Sequence, residues 1–340
     1  MPDRRYDVLG IGNAIVDIIA RCDDAFIRHH GLDKGHMHLV DAGRSAQIYR
    51  DMGATIEASG GSAANTIAGV ASLGGRGAYF GKIADDAFGK IFRHDIHSLG
   101  IDFGSLPVAP GGPPTATSMI LVTPDGERTM NTHLGACVLL DEADVDQAKV
   151  AAASITYLEG YLFDRPAAKR AFRLATKYAH AAGRKVALTL SDGFCVDRHR
   201  AEFLDLIRGS IDIVLANTAE IMSLYQITDF AEACQRMAAD APLAAVTRGA
   251  AGSLIISGTQ RLEVAPEPVP RVIDATGAGD LYAAGFLFGV ARGAPLATCG
   301  VLASLAAAEA ISHIGPRPQS ELAKLAAARG VGIASVHQGR

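Results

Sequence analysis

Tryptophan is absent from the 340-residue chain, and cysteine occurs only five times, at Cys22, Cys137, Cys195, Cys234 and Cys299. The cysteines are odd in number, far apart and never in a CxxC pair. That excludes a disulfide framework or a zinc ribbon and points to a reducing compartment. An excess of one charge is missing too: 32 Lys and Arg stand against 36 Asp and Glu, a net charge of −4 with no long run of either sign. A nucleic-acid coat or a polybasic membrane binder is therefore not expected. No apolar stretch reaches the ~20 residues of a bilayer span; the longest, at 281–291 and 296–308, are short or rich in Gly and Ala. The opening MPDRRYDVLG holds two arginines without an apolar stretch and cleavage site behind them, so a cytoplasmic protein without a secretory leader is expected. The pattern G-x-x-x-x-G-K-[ST] occurs nowhere, which excludes a P-loop ATPase.

What is present is globular in composition, 49% hydrophobic and 20% charged. The length suits two domains, or one large α/β domain with an insertion. Short apolar, β-rich runs at 6–12, 78–84, 154–160, 185–191, 211–217 and 243–247 read as buried strands, with helix-period stretches such as 165–182 and 219–225 between most of them. This alternation predicts a mainly parallel sheet covered by helices on both faces, with its ligand beyond the carboxyl ends of the strands. Five further runs, at 14–22, 36–41, 54–59, 116–123 and 128–134, do not fit that sheet. They predict a small β lid, the last two joined by the hairpin turn Pro124-Asp125-Gly126-Glu127. The expected division is a large domain of 1–13, 60–105 and 136–330, a lid of 14–59 and 106–135, and a poorly anchored tail, 331–340.

Three glycine loops carry chemistry. Gly10-Ile11-Gly12-Asn13-Ala14-Ile15 approaches a dinucleotide fingerprint but has Ile15 at the third glycine position and a strand-like run after it. An NAD-dependent oxidoreductase survives only if a helix follows Gly12. Gly60-Gly61-Ser62-Ala63-Ala64-Asn65 opens a helix with Ile67, Val70 and Ala71 inward. Ser62 is its expected N-cap, the glycines let a sugar approach the backbone, and Asn65 is placed to hydrogen-bond its hydroxyls. In Val272-Ile273-Asp274-Ala275-Thr276-Gly277-Ala278-Gly279-Asp280 an apolar strand is expected to enter a Gly-Ala-Gly turn, followed by a helix with Leu281, Ala284, Gly285 and Phe288 on one face. Gly277, Ala278 and Gly279 would bare their amides at the helix start, an anion hole. Asp280 beside them is suited to accept a hydroxyl proton during phosphoryl transfer.

Together these segments resemble the ribokinase, or PfkB, family of sugar and nucleoside kinases, in order and over nearly the whole chain. Residues 60–101 resemble the family's first signature, and DATGAGDLYAAGFLFGVARG at 274–293 resembles its second, with Ala275 where the family usually has Thr. Asn217-Thr218-Ala219-Glu220 resembles its N-x-x-E element, which implies Mg²⁺ ordered through water by Glu220. Thr247-Arg248-Gly249 resembles its nucleotide turn, so Asn217, Thr247, Gly249 and Thr276 are expected to bind ATP. Asn13 and Asp17, spaced N-x-x-x-D, resemble the ribose-binding pair of the adenosine kinase branch, and a carboxylate can hold two adjacent sugar hydroxyls at once. The resemblance further implies that Gly60, Gly61 and Asn65 hold the sugar. Arg128 would close on the transferred phosphate, Tyr161 and Phe194 would flank a base, and K⁺ would sit at Asp274, the Thr276 carbonyl and the backbone near 313–315.

The implied activity is ATP-dependent phosphorylation of the 5′-hydroxyl of a ribonucleoside, adenosine foremost, with a free sugar or another nucleoside as the alternative acceptor. Expected partners are small molecules only, with neither nucleic acid nor membrane, and the chain would be a monomer or homodimer. His29, His30, His36 and His38 read as solvated lid residues, His94 and His97 as surface residues, and Cys137 and Cys195 as buried small side chains.

Overall fold

A computed structural model describes residues 4–333. Thirteen strands are formed: β1 (Tyr6–Ile11), β2 (Ile15–Arg21), β3 (Met37–Leu39), β4 (Thr55–Gly60), β5 (Gly77–Phe80), β6 (Ala116–Val122), β7 (Arg128–His133), β8 (Ala153–Glu159), β9 (Lys185–Thr189), β10 (Ile213–Asn217), β11 (Leu243–Thr247), β12 (Ser253–Ser257) and β13 (Gln260–Val264). They make two sheets. The larger has eight strands in the order β13-β12-β11-β10-β9-β8-β1-β5. Every pairing from β5 to β11 is parallel, and β12 and β13 add an antiparallel edge.

The parallel strands are apolar almost throughout because helices cover both faces. Alternate residues feed two cores: Val8, Tyr157, Ala187 and Ile213 point into one, and Leu9, Leu158, Leu188 and Val214 into the other. The helix Ala278–Ala291 lies in the first core, packed on Leu296–Ala310 and on Ser62–Ser72. It is buried all round from Leu281 to Gly289, not on one face as its periodicity suggested. Helices enclose it on more than one side, so no polar stripe is needed.

The smaller sheet has five strands, β3-β7-β6-β2-β4, and comprises the five runs that did not fit the larger one. Its β2–β6 and β3–β7 pairings are parallel, its β2–β4 and β6–β7 pairings antiparallel. Only Gly12, Asn13 and Ala14 separate β1 in the large sheet from β2 in the small one. A strand, not a helix, thus follows Gly12, which removes the oxidoreductase alternative. The chain returns at Gly61, whose φ of +94° only glycine adopts freely, and an added Cβ there would strike the Asn13 carbonyl. These two of the chain's four passages between the sheets therefore touch.

Two local expectations are corrected. Residues 272–274 are not a strand: Val272 and Ile273 are 55% and 52% exposed, and the segment is tied to the helix bundle by the Ile273 N–H on the Ile311 carbonyl at 2.8 Å. Among the described residues no neighbouring strand lies there to complete a ladder. His30 is buried rather than solvated, its ring 4.4 Å from that of Phe26, whereas His29 and His36 are exposed. Residues 334–340, most of the expected tail, lie outside the described residues. Among the described residues no helix is long and apolar enough to cross a membrane.

Candidate active site

The carboxyl ends of β8, β9, β10 and β11 open into a cavity of about 850 Å³, and β2, β3, β6 and β7 supply its opposite wall. Its size suits a small ligand or two. Glu159, Thr189, Asn217 and Thr247, the last residues of four parallel strands, all line it.

Asp280 stands in the first turn of Ala278–Ala291, between the two halves of this space. Both its oxygens are held: Ser62 Oγ donates to Oδ1 at 2.6 Å and Asn65 Nδ2 to Oδ2 at 3.0 Å. A carboxylate oxygen has two acceptor sites, so each retains capacity for an incoming hydroxyl. Burial pushes the Asp280 carboxyl up from its ordinary value, opposed by those two donors and by the charge of Arg317. Ser62 is therefore not the N-cap that was expected. Gly61 holds that position without a side-chain bond, and the Ser62 hydroxyl serves Asp280.

Beside Asp280 the backbone turns through Gly277 in the left-handed region, φ +79°. Among the described residues the N–H groups of Gly277, Gly279 and Asp280 have no partner, whereas that of Ala278 reaches the Ala275 carbonyl at 3.2 Å. Of the three amides expected to form an anion hole, those of Gly277 and Gly279 are thus free, and that of Ala278 is already engaged within the turn.

One end of the cavity holds Asn13, Asp17, Gly61 and Asn65. Gly60 underlies Asp17, whose carboxylate occupies the space a Cβ would need. Burial pushes Asp17 up to about 7, countered by Arg317 and Arg128. Glu159 is almost fully buried behind Asn13. It accepts the Asn13 side-chain amide at 2.6 Å and the Asn13 and Ala63 backbone N–H groups at 3.2 and 2.8 Å, and burial pushes it up to about 7. Tyr161 and Phe194 line the same cavity, Phe194 at its rim with 78% exposed, and Met37, Leu39, Ile120 and Met130 give the small sheet's wall an apolar surface. The Tyr161 hydroxyl donates to the Ser191 carbonyl at 3.2 Å.

At the other end, Asn217, Glu220, Thr247 and Thr276 line the cavity. Asn217 caps the helix Thr218–Tyr225 through the Glu220 N–H at 2.9 Å, and the Glu220 carboxylate returns to the Asn217 N–H at 3.0 Å and Nδ2 at 2.5 Å. Burial pushes Glu220 up to about 7. A bound cation would favour its charged form, and magnesium needs only one or two carboxylates when phosphates and waters supply the rest. The residues thus fit a water-bridged ion, and among the described residues no cluster of three or more His, Cys, Asp or Glu would cage one.

Gly60, Ala278, Gly249, Arg128 and Asp274, all expected at the site, lie outside the cavity lining. Gly249 opens a short turn behind Thr247, and Arg248 is tied to Glu263. Arg128 pairs with Asp274 at 2.7 Å, both side chains buried. Asp274 also accepts the Thr276 N–H at 3.0 Å and the Gly315 N–H at 2.9 Å, so protein donors surround the carboxylate that was expected to hold K⁺.

Sequence reasoning missed three groups: Glu159, the Ser62 hydroxyl as a donor to Asp280, and Arg317, whose Nε donates to Asn65 Oδ1 at 2.8 Å. Glu159 had one visible sign, a lone carboxylate ending a buried strand. Arg317 had none.

An acid side chain beside free amides, facing a second sheet across a small-molecule cavity, is the arrangement of a small-molecule kinase. The chain belongs to the pfkB family of carbohydrate kinases, whose model matches residues 51–323, and that family implies ATP as phosphate donor. Among solved structures, an adenosine kinase from Sinorhizobium meliloti is 55% identical, with a TM-score of 0.90 over 96% of this chain and 99% of its own. A probable sugar kinase from Rhizobium etli is 52% identical, with a TM-score of 0.91 over 97% of this chain and all of its own. The adenosine kinase of Saccharomyces cerevisiae is 26% identical over 92% of this chain and 96% of its own.

Proposed function

We propose that this kinase transfers the γ-phosphoryl group of ATP to the 5′-hydroxyl of a ribonucleoside, with adenosine as the preferred acceptor. One observation carries the reading: a single cavity joins Asn13 and Asp17 to Asn217 and Thr247, with Asp280 between the two ends. Asp17 and Asn13 hold the ribose hydroxyls, Gly60 leaves Asp17 the space to reach them, Gly61 lines the sugar's place, and Asn65 supports it. Asp280 takes the 5′-hydroxyl proton, and the Gly277 and Gly279 amides stabilise charge on the moving phosphoryl group. Glu220 orders the waters of a Mg²⁺ that, when bound, neutralises the phosphates. Thr276 and Thr247 face the ATP chain, and the smaller sheet keeps water from the reaction.

Tyr161, Phe194 and the apolar wall of Met37, Leu39, Ile120 and Met130 support a flat base over a bare sugar, since a ring stacks well on such surfaces. The likeness to a probable sugar kinase supports a second reading, a free sugar as acceptor. Coupled measurement of ADP release over a panel of nucleosides and sugars tests both. Highest kcat/KM with adenosine upholds the first reading. Highest kcat/KM with a pentose or hexose replaces it with the second.

A further inference from the structure

Arg317 lies in the loop that follows the helix Leu296–Ala310, far along the chain from every residue it serves. Its Nε donates to Asn65 Oδ1 at 2.8 Å, and Asn65 Nδ2 donates to Asp280 Oδ2 at 3.0 Å. The order of these bonds is fixed by chemistry. A guanidinium only donates and a carboxylate only accepts, so one orientation of the Asn65 amide satisfies both neighbours and the flipped one opposes both. Arg317 thereby sets which face of Asn65 meets Asp280.

The loop is built to hold that position. The Gly315 N–H donates to Asp274, Pro316 packs against Gly277 where a Cβ would collide, and Glu309 Oε1 accepts the Gln319 and Ser320 N–H groups at 2.9 and 2.7 Å. Residues 315–317 thus bracket the amide turn on one side and the helix carrying Asn65 on the other. Among the described residues Arg317 has no carboxylate within 4.0 Å, and burial pulls its own pKa down to about 10. Asp17, Asp95 and Asp280 act on it only from beyond direct contact; a buried cation without a paired carboxylate is costly, so stability alone does not account for it.

We propose that Arg317 is a positioning residue for phosphoryl transfer, orienting the Asn65 amide so that it holds the Asp280 carboxylate in place. This rests on Asp280 being the base. The other titratable groups facing Asp280 are Asp17 of β2, Tyr157 and Glu159 of β8, and Tyr161 just beyond it; Arg128 faces Asp17. Arg317 is the cation that acts on both Asp17 and Asp280, and removing it raises the carboxyl that must be ionised to accept a proton.

The test is the pH profile of kcat and kcat/KM for Arg317→Met and Arg317→Lys beside the wild type. Met keeps the bulk and loses the donor; Lys keeps a donor and the charge. Arg317→Met is expected to lower kcat about tenfold and to move the acidic limb up by about one pH unit, the low end of what a neighbouring charge does. Arg317→Lys should recover most of both. An unmoved acidic limb in Arg317→Met, or equal losses for Met and Lys, overturns the proposal. If Arg317→Met does not fold, Asn65→Asp carries the test. It keeps the Arg317 contact while replacing the donor to Asp280 with a like charge, and the acidic limb must again rise. An unmoved limb there is equally fatal. Asp280→Asn separates the two levels: full activity in that variant removes the base reading itself, whereas an inactive Asp280→Asn with a wild-type profile for Arg317→Met removes only the role of Arg317.

Discussion

Arg128, the first residue of β7 in the small sheet, meets Asp274, just ahead of the helix Ala278–Ala291, at 2.7 Å, with 9% and 4% of the two side chains exposed. Deleting one partner of a buried pair leaves the other charge stranded. Arg128→Met should cost about 3 kcal/mol of stability, and Arg128→Met with Asp274→Asn should recover much of it. Urea unfolding of the two variants and of Asp274→Asn closes the cycle. Additive losses would mean that the pair is not coupled.

Asp280→Asn should lower kcat by about 10²–10⁴-fold, the usual contribution of a positioned acid or base. The Ser62 and Asn65 contacts to the side chain show that its role is held by neighbours an amide can still partly satisfy. Calorimetric binding of acceptor should therefore persist while turnover disappears.

Asp17 and Glu159 give opposite-looking pH effects from one cause. Burial raises Asp17 to about 7, and sugar hydroxyls donate to its ionised form, so acceptor KM should rise as pH falls below 7. Asp17→Ala should show a high KM at every pH. Titration at pH 6 and pH 8 distinguishes the two patterns.

Stability runs the other way. Burial raises Glu159 from 4.5 to about 7, so the folded protein binds the proton more tightly than the unfolded chain. The stability this adds is full below 4.5 and is lost as pH rises through 7. Melting temperatures of the wild type and Glu159→Gln between pH 5 and pH 8 should show the wild type gaining on the variant as pH falls. A constant gap would remove the titration of Glu159.

Phe194 is 78% exposed at the cavity rim, and a stacked base would cover it. Phe194→Ala should raise KM for adenosine about tenfold and leave that for ribose unchanged, because stacking adds to simple burial. Equal losses for both acceptors would favour the bare sugar.

Much of this was legible in the chain itself. The five strands of the small sheet stood out because they interrupted an α/β alternation, and Asp280 because two glycines precede it. The edge strands β12 and β13 were not seen, since an antiparallel hairpin lacks the helix that marks its neighbours. Residues 272–274 have the composition of a strand but no partner beside them. Glu159 and Arg317 act across 146 and 252 residues of sequence, on Asn13 and Asn65. Such contacts are set by the packing of whole layers and leave no local pattern.

The two sheets are joined where Asn13 lies against Gly61, and that junction is also an end wall of the cavity. Asn13 is fastened there to the large sheet by the bonds of its N–H and its side-chain amide to Glu159. In the proposed reading the same residue both fastens the joint and meets the ribose, so a mutation that loosens the one cannot leave the other untouched.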